Sequence, residues 1–382
     1  MKISIIASTK PGYELSKIEA VDFSGKSAGI CYMPDTIEEL FSEDSEKTAK
    51  RAKRTIISGH HSVYDHPTYN LVLEEIPKII AIILNNEGVY TTSEKSARYT
   101  IMKPSEEEES LYKKWIEIYK KVISGLYPKM EEAKIAKLAQ ENARYLISVF
   151  TPATTMEYTV SLRQINYICN WFKDYIENEE DNEFNKLLKP YLQNFIDIIP
   201  DVIVDGLNSE EKERKISLFD DRKNRLEEFG ECYSTNYDAT FAQYAQAHRH
   251  RTLRYKMKLY DRPKYYVPLC IKDTEYEEEW IKDISSLAKY YPQGMLVKVN
   301  ERGTAEDFIL KCKERLCGNA QLEITLQTSE ILKKYIKNTE NTNTDIYEYL
   351  LNYSKGARCT FPGYKCATPC AWGNRDALTR KI

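Results

Sequence analysis

Apolar residues recur at helical spacing over most of this chain, with shorter alternating runs between them. Residues 1–32 break short apolar runs with turn residues, a pattern that predicts strands. Asp35-Thr36-Ile37-Glu38-Glu39-Leu40-Phe41 reads as a capped helix start. A second helix runs from about 46 to 58 and ends at Gly59, which suits a left-handed C-terminal cap. Tyr69 to Leu73 alternates as a strand, and Pro77 interrupts the pattern before the apolar run 78–85. Four glutamates, Glu106 to Glu109, open a long amphipathic helix reaching Leu126, where acids in the first turn complement the helix dipole. Helical periodicity continues over 131–149, 161–175 and 184–199, and again over 240–251, 277–291, 305–316 and 328–338. The polar stretch 205–214 is the best linker, and Pro362, Gly363, Pro369 and Gly373 make the tail mostly loop. A weak internal repeat sets Tyr64-Asp65-His66-Pro67-Thr68-Tyr69 against Asn236-Tyr237-Asp238-Ala239-Thr240-Phe241. Each is followed by an Arg-Tyr pair, Arg98-Tyr99 and Arg254-Tyr255, which suggests duplicated modules.

Composition narrows the functional classes. The chain has 382 residues, 42% hydrophobic and 30% charged, with 55 Lys and Arg against 58 Asp and Glu. That balance argues against a dedicated binder of polymeric nucleic acid, though not against a local phosphate pocket. The start is too short in apolar residues for a signal peptide, and the longest apolar run, Ile79 to Leu84, is too short to span a bilayer, so a cytoplasmic protein without membrane contact is expected. Nine cysteines favour reduced thiols, with at most one metal cluster, over a disulfide framework. The glycine-rich dinucleotide fingerprint, the P-loop and H-E-x-x-H are all absent, and there are only five histidines.

Four segments carry candidate chemistry. Gln246-Ala247-His248-Arg249-His250-Arg251 gathers cations beside aromatic residues; it is either a solvated basic helix end or a phosphate cradle. Glu94-Lys95-Ser96-Ala97-Arg98-Tyr99 offers a hydroxyl and a guanidinium to one phosphate or pyrimidine, or is an ordinary polar turn. His60, His61 and His66 fall within seven residues, as metal ligands or as satisfied histidines. Cys317, Cys359, Cys366 and Cys370 would supply four thiolates to a structural zinc, or remain free thiols.

Taken in order, these segments resemble the flavin-dependent thymidylate synthases, the thymidylate-synthase-complementing family. Ser58 through Tyr69 is similar to the family's G-H-x-S-x-x-E-H-x-x-F segment, and Ser96-Ala97-Arg98-Tyr99 to the end of its R-H-R-x(7)-S-x-R-Y signature. Ala143-Arg144 and Thr159-Val160-Ser161-Leu162-Arg163 resemble A-R-x-x-L-P and T-V-N-x-R. Gln246 to Arg251 resembles Q-x-x-R-H-R, and Arg315 through Ile324 the helix R-x-x-x-x-A-Q-W-E-I. In the first copy Asn86-Glu87-Gly88 replaces R-H-R and Phe172 replaces a helix arginine; in the second, the spacer after Arg251 is missing.

The resemblance implies an α+β fold of two divergent copies, each a small sheet packed with long helices, with modules at 1–207 and 208–382. It implies reductive methylation of dUMP, with methylenetetrahydrofolate as one-carbon donor, FAD as hydride carrier and NADPH as reductant. Each copy lacks what the other keeps, so one composite site is expected. Arg98, Arg144 and Arg315 would hold dUMP, with Glu94, Ser96 and Gln246 beside it; Ser96, Arg98 and Arg315 would form the catalytic set. Arg249, His250 and Arg251, with His66 and Arg163, would hold FAD. A homodimer forming a pseudo-tetramer is implied as well. The alternatives are a flavin enzyme acting on another pyrimidine nucleotide and a catalytically inactive nucleotide-binding homologue.

Overall fold

The protein is described by a computed structural model over residues 1–10, 15–95, 103–208, 216–219, 226–367 and 369–382, with side chains at 31 and 32 left aside. Ser96 and Arg98, and most of the linker at 205–214, lie outside the described residues. The chain forms two compact units: Met1–Lys95 with Pro152–Ser217, and Ser96–Thr151 with Leu218–Ile382. This division departs from the expected modules at 1–207 and 208–382, because 96–151 packs into the second unit.

The first unit opens with β1 (Lys2–Ser8), α1 (Lys17–Tyr32), α2 (Ile37–Ser42) and α3 (Ser45–Ile57). Strands were expected throughout 1–32, but its second half is α1. The reason is local: Ser16 and Glu19 close a capping box, each side chain accepting the other's backbone N–H. Small residues then make one face of α1 narrow, with Ala20, Ser24 and Ala28 fully buried. A Cβ on Gly25 would lie 2.6 Å from the Thr48 carbonyl oxygen on α3. Gly25→Ala is therefore expected to destabilise this unit by about 1–3 kcal/mol, seen as a lowered urea midpoint.

The Gly59 cap forms as expected, with φ at +72°. Next come β2 (Thr68–Ile76), α4 (Lys78–Asn86) and β3 (Thr91–Glu94). The apolar run Ile79–Leu84 is a wholly buried core helix. The chain then contributes α5 (Glu106–Leu126) and α6 (Glu132–Ala143) to the second unit before returning as β4 (Thr154–Ser161), α7 (Leu162–Asn178) and α8 (Glu183–Ile198). The first sheet is antiparallel, in the order β1-β2-β4-β3. Phe172, at the position of the missing arginine, is buried against Phe195 with ring centres 5.3 Å apart.

The second unit continues through β5 (Glu228–Phe229), β6 (Cys232–Thr240), α9 (Phe241–Ala247), β7 (Arg254–Leu259), α10 (Glu277–Ser286), β8 (Leu296–Thr304) and α11 (Ala305–Arg315). It closes with α12 (Leu322–Thr339), α13 (Thr344–Leu351) and α14 (Gly373–Asp376). Its antiparallel sheet runs β5-β6-β8-β7, the same order of strands as the first sheet. The helix expected over 277–291 stops at Ser286, and Tyr291 takes a left-handed φ of +52°. α5 docks on α10: the Trp115 and Trp280 rings stand 4.8 Å apart edge-to-face, and Trp115 donates to Asp283 at 2.8 Å. Beneath the sheet lies a fully buried ion pair, Lys311 Nζ to Glu301 Oε2 at 2.6 Å. The hydroxyls of Tyr233 and Tyr237 also donate to Glu301, each at 2.6 Å. Among the described residues, no helix is long and apolar enough to cross a membrane.

Candidate functional site

Three chain turns in the second unit bring polar side chains to one place. Arg144 follows α6 in a short 3-10 turn and is 5% exposed. Gln246 sits near the end of α9, Arg315 ends α11, and Gln321 caps the start of α12. The expected helices 131–149 and 240–251 are cut short at Ala143 and Ala247. Those early ends turn Arg144 and the segment after Gln246 out of regular helix.

The Gln321 side-chain oxygen accepts from both Arg144 Nη2 and Gln246 Nε2. Its amide nitrogen donates to the Tyr145 hydroxyl, which donates onward to Glu323 at 2.8 Å. Glu323 also accepts from the Thr240 N–H at 2.9 Å and the Thr240 hydroxyl at 2.8 Å. Burial raises the Glu323 carboxyl above its ordinary value, against the pull of Thr240, Tyr145 and Arg144.

Arg315 extends the network, donating from Nε to His250 Nε2 at 2.8 Å and from Nη2 to the Gln246 carbonyl at 3.2 Å. A guanidinium only donates, so His250 accepts at Nε2 and carries its proton on Nδ1. Burial, followed by Arg315 and Lys311, holds the His250 ring well below its usual pKa. The imidazole is therefore neutral at pH 7, and the positive charge of this cluster rests on arginine. Two buried atoms of the network, Arg144 Nε and Gln246 Oε1, have no hydrogen-bond partner among the described residues. One open donor and one open acceptor beside two guanidiniums suit an anionic ligand with an amide-like ring.

The structure thus joins four of the expected residues, Arg144, Gln246, His250 and Arg315. Arg249 is half-buried and Arg251 exposed on the turn after α9. The other expected residues belong to the first unit. Glu94 is paired with Lys78 at 2.5 Å, Arg163 with Asp65 at 2.9 Å, and His66 is exposed. Tyr145, Gln321 and Glu323 were not among the expected site residues; the signal for Gln321 and Glu323 was the A-Q-x-E part of the segment that follows Arg315, and Tyr145 directly follows the Ala143-Arg144 pair.

Neither metal expectation finds a ligand shell: among the described residues no group of three or more His, Cys, Asp or Glu side chains is placed to hold an ion. Cys317 is buried, Cys359 and Cys366 are exposed, and Cys370 is partly exposed. Burial, with Cys366, Cys317 and Cys370 adding to it, pushes the Cys359 thiol up. His61 is a satisfied core residue, its two ring nitrogens meeting the Tyr167 hydroxyl at 2.7 Å and the Ile56 carbonyl at 3.0 Å.

Residues 19–201 match the family described as thymidylate synthase complementing protein. No curated protein matches the chain. Among solved structures, it is similar to the flavin-dependent thymidylate synthase ThyX from Helicobacter pylori complexed with FAD and dUMP. The identity is 14%, over 53% of this chain and 100% of that one, with a TM-score of 0.31. A second structure of that enzyme with FAD and dUMP gives 15% identity over 54% and 99% of the two chains, with a TM-score of 0.33. The UMP/dUMP methylase PolB from Streptomyces cacaoi, bound with 5-Br dUMP, gives 16% over 45% and 76%, with a TM-score of 0.31.

Proposed function

We propose that this chain is a flavin-dependent methylase of a pyrimidine nucleotide, converting dUMP to dTMP with methylenetetrahydrofolate, FAD and NADPH. The observation that carries the reading is the network in which Arg144 and Gln246 meet at the Gln321 side-chain oxygen and Arg315 donates to the Gln246 carbonyl. The two guanidiniums supply the charge and fork geometry that a nucleotide phosphate takes. Gln246 Oε1, an open acceptor, is matched to the N3–H of a uracil ring. Neutral His250 keeps Arg315 aimed while adding no charge of its own. In this reading Ser96 and Arg98 of the S-x-R-Y motif complete the nucleotide set.

FAD would be held by Arg249 and Arg251 on the turn after α9. When bound, it supplies the hydride for reductive methylation. Arg249→Ala is expected to lower the flavin retained on purification about tenfold, read from the visible absorption spectrum.

The test is tritium release from dUMP labelled at C5, with methylenetetrahydrofolate, FAD and NADPH, beside UMP and dCMP. Release and dTMP formation from dUMP support the reading. Absence of turnover with all three nucleotides overturns it.

A further inference from the structure

The hydrogen bonds around Gln321 run in one direction only. A guanidinium has no acceptor, so the Gln321 atom that meets Arg144 Nη2 is the side-chain oxygen. The Gln321 NH2 therefore faces Tyr145, whose hydroxyl accepts from it and turns its own proton to Glu323 at 2.8 Å. The Thr240 hydroxyl is oriented in the same way: it accepts from the Gln243 N–H at 2.9 Å and donates to Glu323 at 2.8 Å. The Thr240 N–H adds a further bond to Glu323 at 2.9 Å. These partners of Glu323 are all donors, as a carboxylate requires. Thr240, Tyr145, Gln321 and Glu323 are buried, which leaves the chain few other ways to arrange its protons.

The same logic fixes Gln246. It meets the Gln321 oxygen and must do so through Nε2, so the atom left over is an acceptor, Oε1. That oxygen is buried with no hydrogen-bond partner among the described residues. A buried open acceptor costs free energy until a donor reaches it. Uracil and cytosine differ in what they offer such a group. Uracil carries an N3–H, whereas cytosine presents a bare lone pair at N3. An open acceptor favours the first and repels the second.

We propose that Glu323 is the specificity-determining positioning residue of this site: through Tyr145 and Gln321 it holds Gln246 with its acceptor open, and so selects a pyrimidine with a ring N–H over cytosine. Glu323 touches no ligand in this scheme. Its role rests on the reading of the site as one for a pyrimidine nucleotide, but not on methylation. In Glu323→Gln the side-chain oxygen would stay with the Thr240 N–H, leaving an NH2 toward the two hydroxyls. The Tyr145 hydroxyl would then accept from that NH2 and offer its own proton to Gln321, which receives it only by turning its oxygen round. Gln321 would meet Gln246 through its NH2, and Gln246 would turn its own NH2 to the ligand. Arg144 opposes the reversal, since it loses its acceptor, so the preference weakens rather than inverts.

The test is calorimetric titration of dUMP and dCMP into the full chain, Glu323→Gln, Tyr145→Phe and the double variant, with thermal melting as the check of fold. The parent is expected to bind dUMP about 100-fold more tightly than dCMP, and Glu323→Gln should lower that ratio about tenfold or more. Once Tyr145→Phe has cut the chain, adding Glu323→Gln should leave the ratio within about twofold of Tyr145→Phe alone. A merely structural Glu323 would weaken both nucleotides alike and keep the parent's ratio, a result that overturns the role. Gln321→Met interrupts the chain beside Gln246 and carries the same test if Glu323→Gln does not fold; a lowered ratio supports the role and the parent's ratio overturns it. A ratio that falls in these variants, with no tritium release from dUMP in the parent, keeps the role and removes the methylase reading. Turnover of dUMP with a ratio indifferent to the variants does the reverse, and a parent that binds neither nucleotide overturns both.

Discussion

Lys311→Met is expected to destabilise the second unit by about 3–5 kcal/mol, because it leaves the Glu301 carboxylate buried without its cation. Both partners are fully buried, and the carboxylate sits beneath the sheet between two tyrosine hydroxyls. Those hydroxyls supply hydrogen bonds but no charge. The double variant Glu301→Leu/Lys311→Met removes the orphaned charge and should recover much of the loss. Urea unfolding followed by circular dichroism checks both, with the transitions of the two units fitted separately. A midpoint unchanged in the single variant would show that water or another cation reaches Glu301.

The second large effect concerns turnover. Arg144→Gln should reduce kcat/KM for dUMP about 10- to 150-fold, the equivalent of roughly 1.5–3 kcal/mol for a charged hydrogen bond. Arg144→Lys should restore little, because an ammonium cannot hold Gln321 and a ligand oxygen from one planar fork. Flavin content should remain at the parent level in both variants, which separates loss of nucleotide binding from loss of fold. Equal kcat/KM in parent and Arg144→Gln would remove Arg144 from the site.

The helices were largely legible because their signals are local. Four glutamates opening α5, Gly59 closing α3 and the periodic apolar residues of α8 each state an element within one or two turns. The second sheet was not legible. β6 and β8 bury Ser234, Thr235, Asn300 and Glu301, polar positions on both faces, so no clean apolar alternation results. The partner of Glu301 comes from the next helix, where Lys311 of α11 lies ten residues on. α1 was misread as strand because its buried face is small rather than strongly apolar.

The candidate site was legible in part. Arg144, Gln246 and Arg315 stand out as motif residues, but the meeting of Arg144 and Gln246 at Gln321, and of Arg315 with the Gln246 carbonyl, is set by helix ends and a cap, beyond the reach of spacing. The position of 96–151 in the second unit was likewise hidden. It depends on the Trp115–Trp280 contact and the Lys114–Asp283 pair, both made across more than 160 residues.

The buried Lys311–Glu301 pair also bears on temperature. The cost of taking charges out of water falls as a solution warms, because ionic hydration carries a negative entropy, while hydrophobic stabilisation per unit area levels off. Compared with an apolar replacement of the same volume, the pair under β6 and β8 loses least on heating and is the poorer choice in the cold. The second sheet is thus better matched to a warm working range than to a cool one, and the gap between the parent and the Glu301→Leu/Lys311→Met variant should shift in the parent's favour as temperature rises.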